Sequence, residues 1–109
     1  MRARQLGITL GLGTPGELNA ITDIPGVRVG HSTLNTRIDG KHVRTGVTVV
    51  QPRAGEARQQ PCFAGYHVLN GNGDATGLEW ISEAGLLTTP LAITNTHSIG
   101  IVRDTLSLI

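Results

Sequence analysis

Aromatic residues and cysteine are scarce in this sequence. Phe63, Tyr66 and Trp80 account for the 3% aromatic content of the 109 residues, and Cys62 is the one cysteine. An internal disulfide and a cysteine-based metal cluster are therefore excluded. No apolar run is long enough to span a bilayer, and the N-terminal residues lack the apolar core of a signal peptide. The sequence predicts a cytoplasmic protein with no cofactor, no metal and no membrane partner.

Lysine and arginine are absent from residues 59–102, although the whole chain has a net charge of +1. This stretch holds the acids Asp74, Glu79 and Glu83 and so has a charge of −3 with histidines neutral. The small net charge gives no reason to expect a nucleic acid partner. A pocket built from the acidic stretch would favour a cationic group, such as a substrate ammonium. Glu79 and Glu83, four residues apart, are interpreted as a solvated helix face.

Glycine is abundant, with 15 residues, and the apolar content is mostly Val, Ile, Leu and Ala. This composition favours a strand-rich or mixed fold. The apolar patterns predict extended segments or strands at 6–13, 27–34, 43–50, 62–69 and 90–95, a hairpin tip at Asp39-Gly40, and a short helix at 78–85. A last helix is predicted after Ser98 as N-cap, with apolar positions Ile99, Val102, Leu106 and Ile109. Because that pattern continues to the final residue, we expect the chain to be the front part of something longer.

Two polar runs follow predicted strands, at residues 70–77 and 95–100. Small polar residues at strand ends are where a rigid scaffold usually presents binding groups. Asp74 differs from the other acids because glycines flank it closely and leave it accessible to a ligand. His97 lies in the second run, where either a functional role or bracing of the backbone is conceivable.

Three other motifs are weak. The glycines of residues 11–16 have dinucleotide-binding spacing, but no helix has room to begin there. Residues 70–74 imitate the start of a calcium loop, yet Ala75 and Ile81 occupy positions that require glycine and glutamate. The four histidines lack the spacing of a metal site, and no Ser–His–Asp set can be assembled.

Several unusual strings recur in the order typical of one family. They are Thr14-Pro15-Gly16, Asn19-Ala20-Ile21-Thr22-Asp23, Gly26-Val27-x-Val29-Gly30-His31, Val43-Arg44-Thr45-Gly46-Val47-Thr48, Asn70-Gly71-Asn72-Gly73-Asp74 with Thr76-Gly77 and Trp80-Ile81, and residues 94–104. On these strings the chain resembles the L-aminopeptidase/D-esterase family, which includes the β-peptidyl aminopeptidases.

The resemblance implies an αββα sandwich of the α/β class, similar to N-terminal-nucleophile hydrolases. Residues 1–109 would be the N-terminal segment of one self-processing hydrolase domain without an internal boundary, β-rich with two short helices. In this family the precursor cuts itself ahead of a serine, which becomes the nucleophile, and its own α-amine is available as a base. The expected partners are the serine-led smaller subunit, further copies in a homo-oligomer, and a small peptide or amide substrate.

The sequence ends before the position of the self-cleavage serine, so we expect no catalytic residue in this chain and no activity from it alone. The expected substrate-binding residues are Asp74, Asn72, Trp80 and Asn95, and the expected loop-structuring residues are Asn70, Gly71, Gly73, His97 and Ser98. Where family members commonly carry Glu after Asn-Gly-Asn-Gly, this chain has Asp74, which we expect to pair with the free amino group of the substrate. Asn72 and Asn95 could instead hold the loops, and Trp80 could pack in the core.

Two functions remain open at this point. The first is a part of a serine-dependent aminopeptidase, amidase or esterase. The second is a non-catalytic chain, either a truncated remnant or a small-molecule binding module on the same scaffold. A self-processing acetyltransferase relative is a weaker option.

Overall fold

A long β-hairpin is the largest element of the computed structural model, which describes residues 1–108. β1 (Arg28–Ile38) and β2 (Lys41–Gln51) pair antiparallel along their whole lengths. Asp39 and Gly40 connect them with φ of +50° and +77°, a two-residue turn whose twist matches that of the strands. The predicted hairpin tip is confirmed. Residues 35–38 and 41–42, which lie outside the strands predicted at 27–34 and 43–50, continue the cross-strand pairing, so both strands are longer than predicted.

Three short strands complete two small sheets. They are β3 (Cys62–Phe63), β4 (Leu86–Leu87) and β5 (Leu91–Ile93), in sheets of order β1-β2-β5 and β3-β4. β5 pairs antiparallel with β2 over Thr48–Val50 only. The strand predicted at 62–69 stops at Phe63, and residues 6–13 are irregular after a 3₁₀ turn at Ala3–Leu6. Residues 64–69 and 6–13 pair with no neighbouring strand in the described chain.

Two short helices occur where they were predicted. α1 (Leu78–Ala84) lies between Gly77 and Gly85, whose φ values are +91° and +65°, and Gly85 donates its N–H to the carbonyl of Ile81 at 2.9 Å. A left-handed glycine after the last helical residue is a common helix end. α2 (Ile99–Leu106) follows a 3₁₀ turn at Thr96–Ser98.

Ser98 occupies the N-cap position of α2, as predicted, but its side chain makes no capping hydrogen bond. The capping side chain is that of Asn95, which accepts the N–H of His97 at the start of the preceding 3₁₀ turn. Of the apolar positions assigned to the last helix, Ile109 lies outside the described residues.

The N-terminal segment contains one well-defined turn around Asp23. Its carboxylate accepts the backbone N–H groups of Leu18 at 2.8 Å and Ala20 at 3.0 Å. The hydrogen bonds from Ala20 and then Leu18 lower the pKa of Asp23 below its usual 3.8. No α-helix begins within residues 11–27, so the glycines of residues 11–16 do not form a dinucleotide-binding turn.

No side chain within residues 1–108 is buried, and large hydrophobic residues such as Leu12, Phe63 and Leu69 are almost fully exposed. The accessible surface is 9087 Å². An independent domain of this mass would expose about 5,800 Å². The radius of gyration is 16.5 Å, against about 13 Å for a compact domain of this length. These residues therefore form no closed hydrophobic core among themselves.

None of the helices in the described residues is long and apolar enough to cross a membrane.

Candidate functional site

Residues 64–85 leave the β3–β4 sheet and return to it. Ala64 donates its N–H to the carbonyl of Gly85 at 2.9 Å, next to the pairing of Phe63 with Leu86. Between these points the chain runs out along residues 64–69, passes through the glycine-rich loop 70–77 and returns as α1. The excursion that carries the loop is thus closed at its base by this hydrogen bond, and loops held on a scaffold commonly carry binding groups.

Asn70 shapes the start of this loop. Its Oδ1 accepts the N–H of Asn72 at 2.9 Å, which forms an Asx turn. Gly71 and Gly73 do not have positive φ, and a Cβ added at either would meet nothing within 4 Å beyond its chain neighbours in the described residues. The local backbone therefore does not require these two glycines, and their small size leaves room for a group that approaches the loop.

Asp74 follows Gly73 and is exposed. Its carboxylate accepts no hydrogen bond and forms no salt bridge with residues 1–108, where the one salt bridge joins Arg103 and Asp104. The nearest cationic residues in the sequence are Arg58 and Arg103. Both carboxylate oxygens of Asp74 are therefore available to a ligand, and the charged groups nearest in sequence to Asp74 are acids.

An open depression of about 520 Å³ lies between residues 65–68 and one side of α1, the two segments that this loop connects. Its lining residues combine apolar and polar groups: Gly65, Tyr66, His67, Val68, Ile81 and Ser82. The volume falls in the range of small-molecule pockets. Asp74 is not among the lining residues but lies on the loop that joins the two walls.

Trp80 lies on α1 next to Ile81 and is 52% exposed. It is not packed in a core of the described residues, and it does not line the depression. Tyr66, His67 and Ser82 were not singled out as site residues from the sequence. The apolar stretch at 62–69 predicts only a strand, and Ser82 lies in the predicted helix 78–85, so nothing in the sequence distinguished these three side chains.

A second group of side chains joins the end of β5 to β2. Asn95 Nδ2 donates to Thr45 Oγ1 at 2.6 Å and to Ser98 Oγ at 3.0 Å, and Asn95 Oδ1 accepts the N–H of His97 at 3.1 Å. Thr94 Oγ1 donates to the carbonyl of Gly46 at 2.9 Å. The amide of Asn95 thus bonds three neighbours, while the His97 ring makes no hydrogen bond within the described residues.

Thr45 was missed because it is fifty residues from its partner. Its position follows from the β2–β5 register: Thr48 pairs with Ile93, and continuing that register by three residues places Thr45 opposite Thr96. The strand pairing could have located Thr45, but no local motif could.

The predicted site residues thus form two separate groups. Asn70, Asn72 and Asp74 share the loop before α1, and Asn95, His97 and Ser98 share the turn before α2. No hydrogen bond or salt bridge joins the groups within residues 1–108. Trp80 belongs to neither hydrogen-bonded group.

The functional groups in these two sets of residues are one carboxylate, amide and hydroxyl side chains, and an imidazole. No group of three metal-ligating side chains occurs in the described chain. Ser98 and Ser107 hydrogen-bond to Asn95 and to the carbonyl of Arg103, and no serine of residues 1–108 bonds to a histidine or a carboxylate. The described residues thus offer an anionic group and a neighbouring depression, without an activated nucleophile.

The sequence pattern of Peptidase family S58 matches residues 19–108. The chain therefore belongs to Peptidase family S58. It is 48% identical over 109 aligned residues to the beta-peptidyl aminopeptidase BapA of Sphingosinicella microcystinivorans, an alignment that covers 94% of this chain and 27% of that protein. The chain thus spans about a quarter of the length of this curated relative.

Solved structures give the same family likeness. A beta-aminopeptidase from Burkholderia sp. is 73% identical, with a TM-score of 0.88, over 97% of this chain and 30% of that one. The L-aminopeptidase D-Ala-esterase/amidase of Ochrobactrum anthropi is 40% identical, with a TM-score of 0.83, over 96% of this chain and 30% of that one. The Ochrobactrum protein is described as a prototype of the serine aminopeptidases and a variant of the Ntn hydrolase fold. The expected family and fold class, mixed α/β and strand-rich with two short helices, are both confirmed.

Proposed function

We propose that this chain is the N-terminal segment of a self-processing aminopeptidase that acts on small peptides or amides with a free N-terminal amine. The observation that carries the proposal is the match to Peptidase family S58 over residues 19–108, together with the likeness to aminopeptidases of known structure. Residues 1–109 contribute to one hydrolase domain, and residues outside this segment supply the rest. We also propose that the protein is located in the cytoplasm.

In this proposal the nucleophile is a serine outside residues 1–109, which leads the smaller subunit after self-cleavage. The serine's own α-amine then acts as the base that activates its hydroxyl. Residues 1–109 contribute substrate binding and no catalytic residue, so this segment alone is inactive. The two subunits remain associated and assemble into a homo-oligomer.

Asp74 is the proposed receptor for the substrate ammonium. It is an accessible carboxylate in a stretch of charge −3, with no cation of residues 1–108 paired to it. A carboxylate–ammonium pair in a partly desolvated pocket contributes about 1–3 kcal/mol. Loss of this energy is enough to make substrates with a blocked amine bind poorly. The depression along α1 would receive the adjoining part of the substrate, and Asn72 and Trp80 are proposed as further substrate contacts.

Kinetics of Asp74→Asn in the full-length enzyme test this assignment. We expect KM for a free-amine substrate to rise by about tenfold, because the amide keeps the shape but loses the charge. Asp104→Asn, which removes an exposed carboxylate on α2, is the matched control and should leave KM unchanged. Unchanged kinetics of Asp74→Asn would reject the role of Asp74.

The second candidate is a non-catalytic chain on the same scaffold, either a truncated remnant or a small-molecule binding module; both candidates agree with the lack of an activated serine within residues 1–108. The intact mass of the native protein separates the two. A second, serine-led subunit accompanying this one supports the enzyme, and a single unprocessed species of about this chain's mass supports the non-catalytic chain.

A further inference from the structure

The two faces of the β1–β2 hairpin differ in chemistry. Because the strands pair in register along their whole lengths, every second residue of each strand shares a face with its cross-strand partner. One face, here called the apolar face, carries aliphatic side chains: Leu34, Ile38, Val43, Val47 and Val49. Over the same stretch the opposite face carries mainly polar and cationic side chains: His31, Thr33, Asn35, Arg37, His42 and Arg44. In antiparallel sheets, such alternation is typical of one face packed on a core and the other in contact with water.

The polar side chains of the apolar face are compatible with burial. Thr45 lies on this face, and its Oγ1 already accepts a hydrogen bond from Asn95 Nδ2 at 2.6 Å. Buried polar groups are nearly always hydrogen-bonded, so this bond suits a covered position. Ser32 and Thr36 add only small hydroxyl side chains, and Lys41 lies next to the turn, where a long side chain can extend to water.

The described chain does not cover the apolar face. Leu34 is 45% exposed and Ile38 is 51% exposed, and no side chain of residues 1–108 is buried. β5 widens the sheet beside Thr48–Val50 and does not pair with the residues of β2 nearer the turn. A two-stranded ribbon is marginal in water unless something packs against its apolar side. The apolar face therefore needs a covering layer from outside the described residues.

The longer relatives indicate which residues supply this layer. This chain covers 27% of the Sphingosinicella microcystinivorans relative and 30% of the Burkholderia structure. It matches the Burkholderia structure with a TM-score of 0.88, so a segment of this kind keeps the same backbone inside a longer chain. The rest of the same chain is present at a high effective concentration, whereas a second copy must be recruited from solution. The rest of the chain is therefore the favoured occupant of the apolar face.

We propose that the apolar face of the β1–β2 hairpin packs against residues of the same protein outside 1–109 and forms one side of a shared core. The bond between Thr45 and Asn95 then lies on the covered side of the sheet and ties the turn before α2 to that core. The inference rests on the proposed function in one respect, that residues 1–109 are part of a longer protein. It does not depend on the reaction that the protein catalyses or on Asp74.

Thiol labelling of the full-length protein tests the proposal. Val43→Cys and Arg44→Cys introduce thiols at neighbouring positions of β2 that point to opposite faces. Each variant is treated with a water-soluble maleimide, natively and in concentrated urea, and labelling at the introduced cysteine is followed by peptide mass spectrometry. In the native protein the thiol of Val43→Cys should react about a hundredfold more slowly than in urea, because it becomes accessible only when the structure opens. The thiol of Arg44→Cys, the matched control, should be protected at least tenfold less.

A second pair of variants tests the same face through stability. Leu34→Asp should lower the midpoint of thermal unfolding of the full-length protein by about 5 °C or more, because it places a charge in the core. Asn35→Asp, the next residue on the opposite face, should have little effect. Equal shifts from the two changes would contradict the proposal.

The labelling outcomes separate this inference from the others. Equal protection at the two positions, whether high or low, would overturn it. Protection of Val43→Cys that disappears on dilution to the monomer would show that a second copy covers the face, and would overturn it too. Peptidase activity is measured on the same samples: fast labelling of Val43→Cys in an active enzyme overturns this inference alone. Slow labelling in a folded protein without peptidase activity supports the covered face and counts against the proposed function.

Discussion

Asn95 illustrates how one side chain can fix three parts of a chain. Its amide bonds to Thr45 in β2, to Ser98 and to the backbone of His97. These bonds use both Nδ2 hydrogens and the carbonyl oxygen, so the role visible in the described residues is to hold the turn between β5 and α2. Its predicted contact with substrate stays a prediction.

Asn95→Ala in the full-length protein should lower the free energy of unfolding by about 1–2 kcal/mol, since it removes a cap and leaves Thr45 without its partner. Thr45→Val should cost less, and the double variant should cost less than the two single changes added together. Urea denaturation measures all three. Asn35→Ala, at an exposed position of β1, is the control and should be neutral. Additive effects of the changes at Asn95 and Thr45 would argue against the hydrogen bond between them.

The contacts of Asp23 lead to a prediction about the stability of the protein at low pH. Two backbone N–H groups, those of Ala20 and Leu18, lower its pKa in the folded chain, so its contribution to stability is complete above the unfolded pKa of about 3.8. That contribution disappears as pH falls through the lower folded pKa. Asp23→Asn should therefore reduce the difference in stability between pH 5 and pH 2 in urea titrations of the full-length protein. An unchanged pH profile would contradict the assignment.

At the scale of elements, the turns and helices were predictable because their signals are local. Asp39-Gly40 supplies two residues that tolerate positive φ, and Gly85 supplies the left-handed end of α1. The strand predicted from the apolar run at 62–69 is too long, because a strand needs a neighbouring strand. Of this run, only Cys62 and Phe63 pair with another strand within residues 1–108. The contact between Asn95 and Thr45 depends on strand register and was not predictable from either segment alone.

Glycine substitutions separate conformational from functional needs. Gly85→Ala should destabilise the full-length protein by about 1 kcal/mol, because alanine is strained at φ +65°. Gly73→Ala should leave stability unchanged, since a Cβ there meets nothing in the described residues. If substrate approaches the loop, Gly73→Ala should instead raise KM. Thermal unfolding and steady-state kinetics provide the two readouts, and a large loss of stability in Gly73→Ala would contradict this description.

At the scale of the whole molecule, exposed apolar surface is the dominant feature. No side chain of residues 1–108 is buried, and large side chains such as Trp80 and Tyr66 are about half exposed. In the proposed enzyme, residues outside 1–109 complete the candidate site, and sequence reasoning on this segment could not predict them. A pocket closed by distant parts of a chain has no signature in one of those parts.

Residues 1–109 expressed alone should behave as an incompletely packed chain. We expect binding of a hydrophobic dye such as ANS, unfolding without a sharp cooperative transition, and no peptidase activity, because burial that would offset conformational entropy is missing. Calorimetry and dye fluorescence check this. A cooperative transition with little dye binding would show that the segment folds independently and would contradict the proposal that it is part of one larger domain.

The most direct test of the substrate-binding proposal compares two substrates that differ only at the amine. In the full-length enzyme, the ratio of kcat/KM for a free-amine peptide to that for its N-acetylated form should be large, and Asp74→Asn should reduce that ratio by about tenfold. Asp74→Glu, which keeps the charge, should retain most of it. If Asp74→Asn leaves the ratio unchanged, the carboxylate does not receive the substrate amine.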